Sequence, residues 1–446
     1  MKKSIPVLSS LAAALLLSSQ VAFAHESSLP TTDSLPEASS QVPVKNAEVK
    51  VTNLLSQNKN ADEKNSISTL QPLASLAPPA LQKGTTFNFS QRDFGESVVQ
   101  TSDGGYVFVG STTVNGNEDI LFAKTDASLA LQWAYALGGA AEETGAEVRQ
   151  TSDGGYIIAG TSNASGSKDI YLAKTDANGA IQWAKTYGGP GQEEAAAMEI
   201  GHDGGYVIVG AKGDSQYTTD AFMLKVDASG NVQWSRTYGQ VNLEDRFYGV
   251  SVTPDGGYVG AGYKTIKQTI PGGTEQAMYG LMVKVSGSGA TEFESTLDKY
   301  SMLHGVAATS SGYVAAGSIN NFGQPNNSQG YNIFVTKVST SGGKLWANQF
   351  HSTNGDFAND VKVAKDGNYI VTGLTSPQVG KEDLVLMKVN NAGNALWSNM
   401  YDFGNTGEIG KRVATTNDGG YVVTGSFQKD SSNGNYDVLL AKFTSD

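Results

Sequence analysis

A block of about 50 residues, clearest from Thr151 to Gly189, recurs through nearly everything after residue 80, and a tandem repeat of that length restricts the fold more than any local propensity does. The copies are registered by Tyr106, Tyr156, Tyr206, Tyr258, Tyr313, Tyr369 and Tyr421, with steps of 50, 50, 52, 55, 56 and 52 residues. Four residues after each of these tyrosines stands a glycine, from Gly110 and Gly160 to Gly425. A lysine then closes an apolar run (Lys124, Lys174, Lys225, Lys284, Lys337, Lys388, Lys442), and nine residues later six copies carry an aromatic: Trp133, Trp183, Trp234, Phe293, Trp346 and Trp397.

Within one copy the pattern predicts four short strands. They run Gly145 to Thr151, Tyr156 to Thr161, Asp169 to Lys174 and Ala180 to Tyr187. The first two are joined by the turn Asp153-Gly154-Gly155 and the last two by Asp176-Ala177-Asn178-Gly179, where glycines supply the positive backbone angles of hairpins. Seven such units predict an all-β fold, a seven-bladed β-propeller of four-stranded antiparallel blades. The last copy reaches Asp446 just after its third strand, and Ala80 to Phe87 aligns without a gap to Ala180 to Tyr187. That N-terminal strand is therefore expected to complete the last blade and close the ring, which removes exposed sheet edges.

The expected organisation is a signal peptide over 1–24, a flexible tether over 25–79 and the propeller over 80–446. Lys2 and Lys3, the apolar run of residues 11–17 and the small-residue site Ala22-Phe23-Ala24 have the layout of an export signal. Residues 25–79 are rich in Ser, Asn, Pro, Glu and Lys, with Val49 to Leu55 as their one candidate for transient order. Export places the chain in the periplasm, at the cell surface or outside the cell. No other stretch approaches the roughly 18 apolar residues of a membrane helix. With no cysteine, disulfides, thiolate metal sites and a cysteine nucleophile are excluded. The formal net charge of −12 disfavours nucleic acid and anionic membrane as partners.

The TSDGGY hairpin, DxxLAK strand and DANGxxQW hairpin resemble the β-propeller repeats of secreted and surface bacterial proteins, across residues 80 to 446. The resemblance implies fold and export, and lends no shared chemistry. The DANGxxQW hairpin is also similar to the tryptophan-bearing turn of quinone-cofactor propellers and of the related outer-membrane assembly propeller. Cofactor-binding members commonly use a neighbouring cysteine pair, which is absent here, so no cofactor is carried over.

Thirteen residues before the marker tyrosine an acid stands in six copies: Asp93, Glu143, Glu193, Asp245, Asp356 and Glu408, with Tyr300 in the remaining one. A second set, Asp119, Asp169, Asp220, Asp383 and Asp437, opens the third strand. Two readings stand side by side. The acids form carboxylate rings at a channel mouth, open to a cation such as calcium, or each ties down loop backbone in its own copy. The four histidines His25, His202, His304 and His351 have no metal-ligand spacing, and there is no nucleophile elbow or Walker loop.

Repetition breaks in copies four and five. The runs Tyr263 to Met278 and Ile319 to Tyr331 are read as the longest connections between second and third strands, neighbours on one face. Tyr263, Lys264, Lys267, Tyr300, His304, Phe322 and Tyr331 are the candidate binding residues, suited to a protein or glycan partner. The leading expectation is a non-enzymatic binding or scaffold module. The alternative is an extracellular polysaccharide lyase or hydrolase using carboxylates at the channel mouth.

Overall fold

The computed structural model describes residues 42–43, 50–53 and 78–446, apart from 91, 115, 190, 216–217, 241, 272, 321–329, 352–354, 379–380, 405–406 and 430–433. The proposed signal peptide, most of the tether and Phe322 lie outside the described residues. Within them the chain is all β, with four four-stranded antiparallel sheets, one five-stranded sheet and one nine-stranded sheet, and no sheet closes on itself. No described helix is long and apolar enough to cross a membrane.

The second repeat shows the local logic. Its strands are Glu143–Gln150, Tyr156–Ser162, Asp169–Thr175 and Ile181–Tyr187, paired in that order. The two middle strands are buried at every residue because both faces of the sheet are covered. In the first turn Gly154 takes a φ of 82°, and a Cβ on Gly155 would sit 2.1 Å from the Thr175 carbonyl oxygen. One glycine is needed for conformation and the other for a close approach. Asp153 locks the same turn by accepting from the Gly155 N–H at 3.0 Å and the Thr151 hydroxyl at 2.5 Å.

Each first strand carries a β-bulge, for example between Gly145 and Glu147, opposite the glycine that follows the marker tyrosine. There the bulged backbone crowds the second strand: a Cβ on Gly160 would lie 2.2 Å from the Thr144 carbonyl, and one on Gly110 still closer to that of Phe94. The bulge re-aims the extra side chain towards the next repeat. Asn359 donates to the Gly410 carbonyl at 2.8 Å, His304 meets the Ala358 carbonyl at 2.8 Å, and Lys411 pairs with Glu96 at 3.3 Å.

The hydrophobic clusters lie between repeats rather than within them. Val107, Val109, Ile120 and Phe122 of the first repeat pack with Val148, Tyr156 and Ile158 of the second. Val422, Val438 and Leu440 of the seventh pack with Val98, Tyr106 and Phe108 of the first. The aromatic nine residues after the lysine meets the marker tyrosine of the following repeat, with ring centroids 6.1 Å apart for Trp133 and Tyr156 and 6.0 Å for Trp234 and Tyr258. Leu81–Asn88 pairs antiparallel with Tyr436–Phe443, Phe87 opposite Val438, as the alignment of residues 80–87 predicts. Lys50–Asn53 adds to the outer side of that strand, and Val42–Pro43 to Leu131–Leu137.

The repeated lysines are interior groups. Lys225 and Lys284 are fully buried, with ammoniums 2.7 Å from Asp203 and 3.0 Å from Asp255, the aspartates of the DGG turns. Lys124, Lys174 and Lys388 repeat the pairing. Where the fifth repeat lacks the aspartate, Lys337 donates instead to Ser311 Oγ and Tyr369 Oη, both at 2.8 Å. A buried charge is retained only with such partners.

Candidate functional site

The run Tyr263 to Met278 is not a loop. Tyr258–Ile270 and Gly273–Val285 form a continuous hairpin, paired from Tyr258↔Val285 out to Ile270↔Gly273, so the insertion lengthens two strands beyond the sheet. Its alternation of Thr, Ile, Lys and Gln around Pro271-Gly272-Gly273 is a strand-turn-strand pattern that reading by repeat length alone overlooks. The outer half is exposed, with Lys267 and Ile270 on the surface.

Tyr300 stands beside this hairpin. Thr291–Lys299 and Ser301–Thr309 are separated by that single residue, whereas five residues separate Leu131–Leu137 from Glu143–Gln150. The reversal forces a φ of 63°, unusual for a tyrosine, and leaves the side chain 40% exposed. Its hydroxyl donates to Glu275 at 3.2 Å, and the Lys299 ammonium, 2.5 Å from Glu275, lies 4.9 Å from the centre of its ring. Ile270 and Tyr300 are two of the three large apolar side chains exposed among the described residues.

The other candidates divide. Tyr263 is buried, donating to Glu244 at 2.7 Å, and does not present itself to a partner, because its strand continues the sheet. Lys264 is ion-paired with Glu294. His304 sits in an inner strand against the edge of Tyr248, with centroids 5.0 Å apart; burial holds its imidazole down at about 4, so it too is structural. Tyr331 opens a third strand and packs on Phe357 at 4.8 Å, facing the sixth repeat. Of the expected patch, the structure leaves Lys267 and Tyr300 at the surface.

The six acids are buried rather than displayed at a mouth. Asp93 accepts from the Phe89 and Ser90 N–H groups at 2.7 and 2.8 Å, Glu143 from Gly139 at 3.0 Å, Glu193 from Gly189 at 3.2 Å and Asp245 from Gln240 at 2.9 Å. Asp356 bonds the Thr375 hydroxyl. Four of these carboxylates therefore tie down the loop entering their repeat. Where that loop shrinks to one residue there is no amide to hold, which is why Tyr300 replaces the acid.

The two acid sets also meet across repeats. A Cβ on Gly138 would lie 2.2 Å from Asp119 and 2.7 Å from Glu143; Gly188 separates Asp169 from Glu193, and Gly239 separates Asp220 from Asp245, in the same way. Burial first, then the Glu143 charge, raises Asp119 to about 6. Its folded value exceeds that of the unfolded chain, so its contribution is intact below about pH 4 and lost as pH rises through 6. Asp119→Asn is accordingly expected to gain on the wild type by about 3 kcal/mol between pH 4 and pH 8 in urea unfolding. A constant difference would refute the assignment.

The first strands line a cavity of about 340 Å³ with Glu147, Arg149, Glu199, Asp360, Lys362 and Arg412. These charges are internally matched: Arg149 bonds Glu147 at 2.5 Å and Glu199 at 2.7 Å, and Lys362 bonds Asp360 at 3.0 Å. Arg412 spans the cavity, donating to the carbonyls of Asn359, Ala196 and Tyr248 at 3.1, 3.2 and 3.4 Å. Sequence reasoning missed this arginine, which occurs once per chain and not once per repeat. A separate group of carboxylates, Asp383, Asp402 and Glu408, lies close enough together to hold a metal ion.

No protein-family model matches the chain, and no curated protein sequence does. Solved structures that resemble it include Sqt1 from Chaetomium thermophilum bound to the N-terminus of the ribosomal protein L10, at 11% identity over 81% of this chain and 98% of that one, with a TM-score of 0.44. The hydrazine synthase of Kuenenia stuttgartiensis is 11% identical over 77% and 94%, with a TM-score of 0.48. A glucose dehydrogenase is 10% identical over 82% and 99%, with a TM-score of 0.37. These TM-scores all lie below 0.5, so nothing of those proteins' activities passes to this chain.

Proposed function

We propose that the chain is an exported, non-enzymatic binding or scaffold module, a seven-bladed β-propeller closed by Leu81–Asn88 as the fourth strand of its last blade. Its partner is a protein or glycan held on the projecting hairpin of blade 4 and the start of blade 5. The ring reading is supported by core clusters shared between consecutive repeats and by the cluster that joins the seventh to the first.

The observation that carries the binding reading is the hairpin itself. Thirteen-residue strands extend past a sheet whose core needs fewer, and they bring Ile270, 39% exposed, to their tip near the strained, exposed Tyr300. Apolar and aromatic groups rimmed by lysines and amides suit a protein surface better than a sugar, and backbone strain concentrates where a site needs a fixed side chain. The acids give little support to the polysaccharide-enzyme alternative, since most are committed to loop amides.

Ile270→Ser with Tyr300→Gly tests the reading. Glycine accepts the left-handed backbone, so stability should stay within about 1 kcal/mol of wild type. Residues 25–446 immobilised against envelope and culture-medium fractions and against a glycan array should identify the partner, and the double variant should bind it at least about tenfold more weakly. Undiminished binding by the folded variant would move the site elsewhere.

A further inference from the structure

At the junction between repeats 6 and 7 one residue differs from the first three junctions, and the consequences point to a ligand; the fourth repeat also has an acid there, Asp298, but Tyr300 stands where the first acid set would meet it. Fourteen residues after the repeated lysine the chain has Gly138, Gly188 and Gly239 in the first three repeats, and Asp402 in the sixth. At those three junctions the glycine leaves no room for a side chain between the two acids. At the sixth, a third carboxylate enters, and the oxygens of Asp383, Asp402 and Glu408 lie within 4.8 Å of one another.

Asp402 also takes over a hydrogen bond. The amide four residues before the acid serves that acid at other junctions, as Phe89 N–H serves Asp93, Gly139 serves Glu143 and Gly189 serves Glu193. Here the corresponding amide, Gly404 N–H, donates to Asp402 Oδ1 at 2.9 Å. Glu408 is 0% exposed and neither of its carboxylate oxygens has a hydrogen-bond partner. A buried carboxylate with no donor is costly to keep. Among the described residues the cation paired with this group is Lys381, 2.6 Å from Asp402 and 3.8 Å from Asp383, a single charge against three.

We propose that Asp383, Asp402 and Glu408 form a calcium site that bridges repeats 6 and 7. All three donors are hard carboxylate oxygens, with no nitrogen or sulfur ligand, which selects calcium, magnesium or manganese over zinc or copper. Calcium fits best, because it accepts irregular sets of six to eight oxygens, and the exposed Asp402 side leaves room for water. The ion supplies Glu408 with the partner that Asp402 has diverted, and displaces the Lys381 ammonium from Asp402. Of the six acids Asp93, Glu143, Glu193, Asp245, Asp356 and Glu408, for which a cation ring is one of two readings of the sequence, this site uses Glu408 alone.

Thermal unfolding of the full chain in calcium chloride and in chelator tests the proposal, with magnesium and manganese as parallel arms. Calcium at a hundredfold excess over its dissociation constant should raise the midpoint by about 3 °C. Asp402→Gly should abolish the rise while remaining folded in chelator, since glycine serves this position at three junctions and frees the Gly404 amide for Glu408. Glu408→Gln, nearly isosteric, should abolish it as well, and Lys381→Gln should tighten calcium severalfold. Equal midpoints in calcium and chelator for the wild type, or a calcium response that survives both carboxylate variants, would overturn the site.

Discussion

A chain beginning at residue 89 is expected to lose cooperative folding, whereas one beginning at residue 78 should unfold within about 1 kcal/mol of the full chain. The difference is the strand Leu81–Asn88. It pairs with Tyr436–Phe443 from Leu81↔Phe443 to Phe87↔Val438, and the end of the chain bonds back to it through Thr444 N–H to the Ala80 carbonyl at 2.9 Å. Phe87 is fully buried, its ring 5.4 Å from that of Phe108, and Tyr401 donates to the Pro79 carbonyl at 2.8 Å. Removing a buried phenylalanine costs about 3–5 kcal/mol, and several ladder bonds at about 1 kcal/mol each bring the loss to the scale of a whole domain's stability. It also exposes a long apolar edge that invites aggregation. Circular dichroism and urea unfolding of the two truncations give the answer. A synthetic peptide spanning residues 78–90 should restore cooperative unfolding to the shorter chain by strand addition. If residues 89–446 unfold with an unchanged midpoint and slope, the strand is an appendage and the ring reading fails.

How much of this was legible beforehand follows from what repetition encodes. The marker tyrosine and its glycine answer a local requirement met again in every copy, and the DGG turn one met in most, so spacing alone locates the strands, and alignment locates the strand at residues 80–87. The buried lysines show the limit of such reading. Lys284 and a solvated surface lysine look alike in sequence, and only the DGG aspartate 29 residues earlier, Asp255, tells them apart once the hairpin is folded. The candidate site was less legible for the opposite reason. The broken symmetry of copies four and five singles out a region, but length alone does not tell an extended hairpin from a loop, and the strands of Tyr263 and His304 carry those side chains inside. Arg412 escapes a reading by repeat because it matters only through residues far away in sequence, Ala196 and Tyr248, and Asp402 because it stands at a position that is glycine in the best-matching copies.

Arg412→Met is expected to lower stability by about 2–3 kcal/mol, more than a lysine at the same position. The guanidinium leaves the first strand of the seventh repeat and donates to carbonyls of the third, fourth and sixth, with Glu147 of the second 3.7 Å away. Three carbonyls would lose their donor together, and Glu147 a neighbouring positive charge. Two features keep the cost below the roughly 3–5 kcal/mol of breaking a sealed ion pair: water can enter the 340 Å³ cavity, and Arg149 still serves Glu147 at 2.5 Å. Lysine keeps the charge but not the planar fork, so it cannot reach all the carbonyls at once. The stronger consequence concerns cooperativity. Repeats that touch only their neighbours unfold nearly independently, whereas one side chain bonded to three other repeats couples them. The methionine variant should therefore show a lower urea midpoint and a shallower slope, with a double cycle against Glu147→Gln isolating the charge contribution. An unchanged midpoint would mean that cavity water already satisfies those carbonyls and that the arginine is not what couples the repeats.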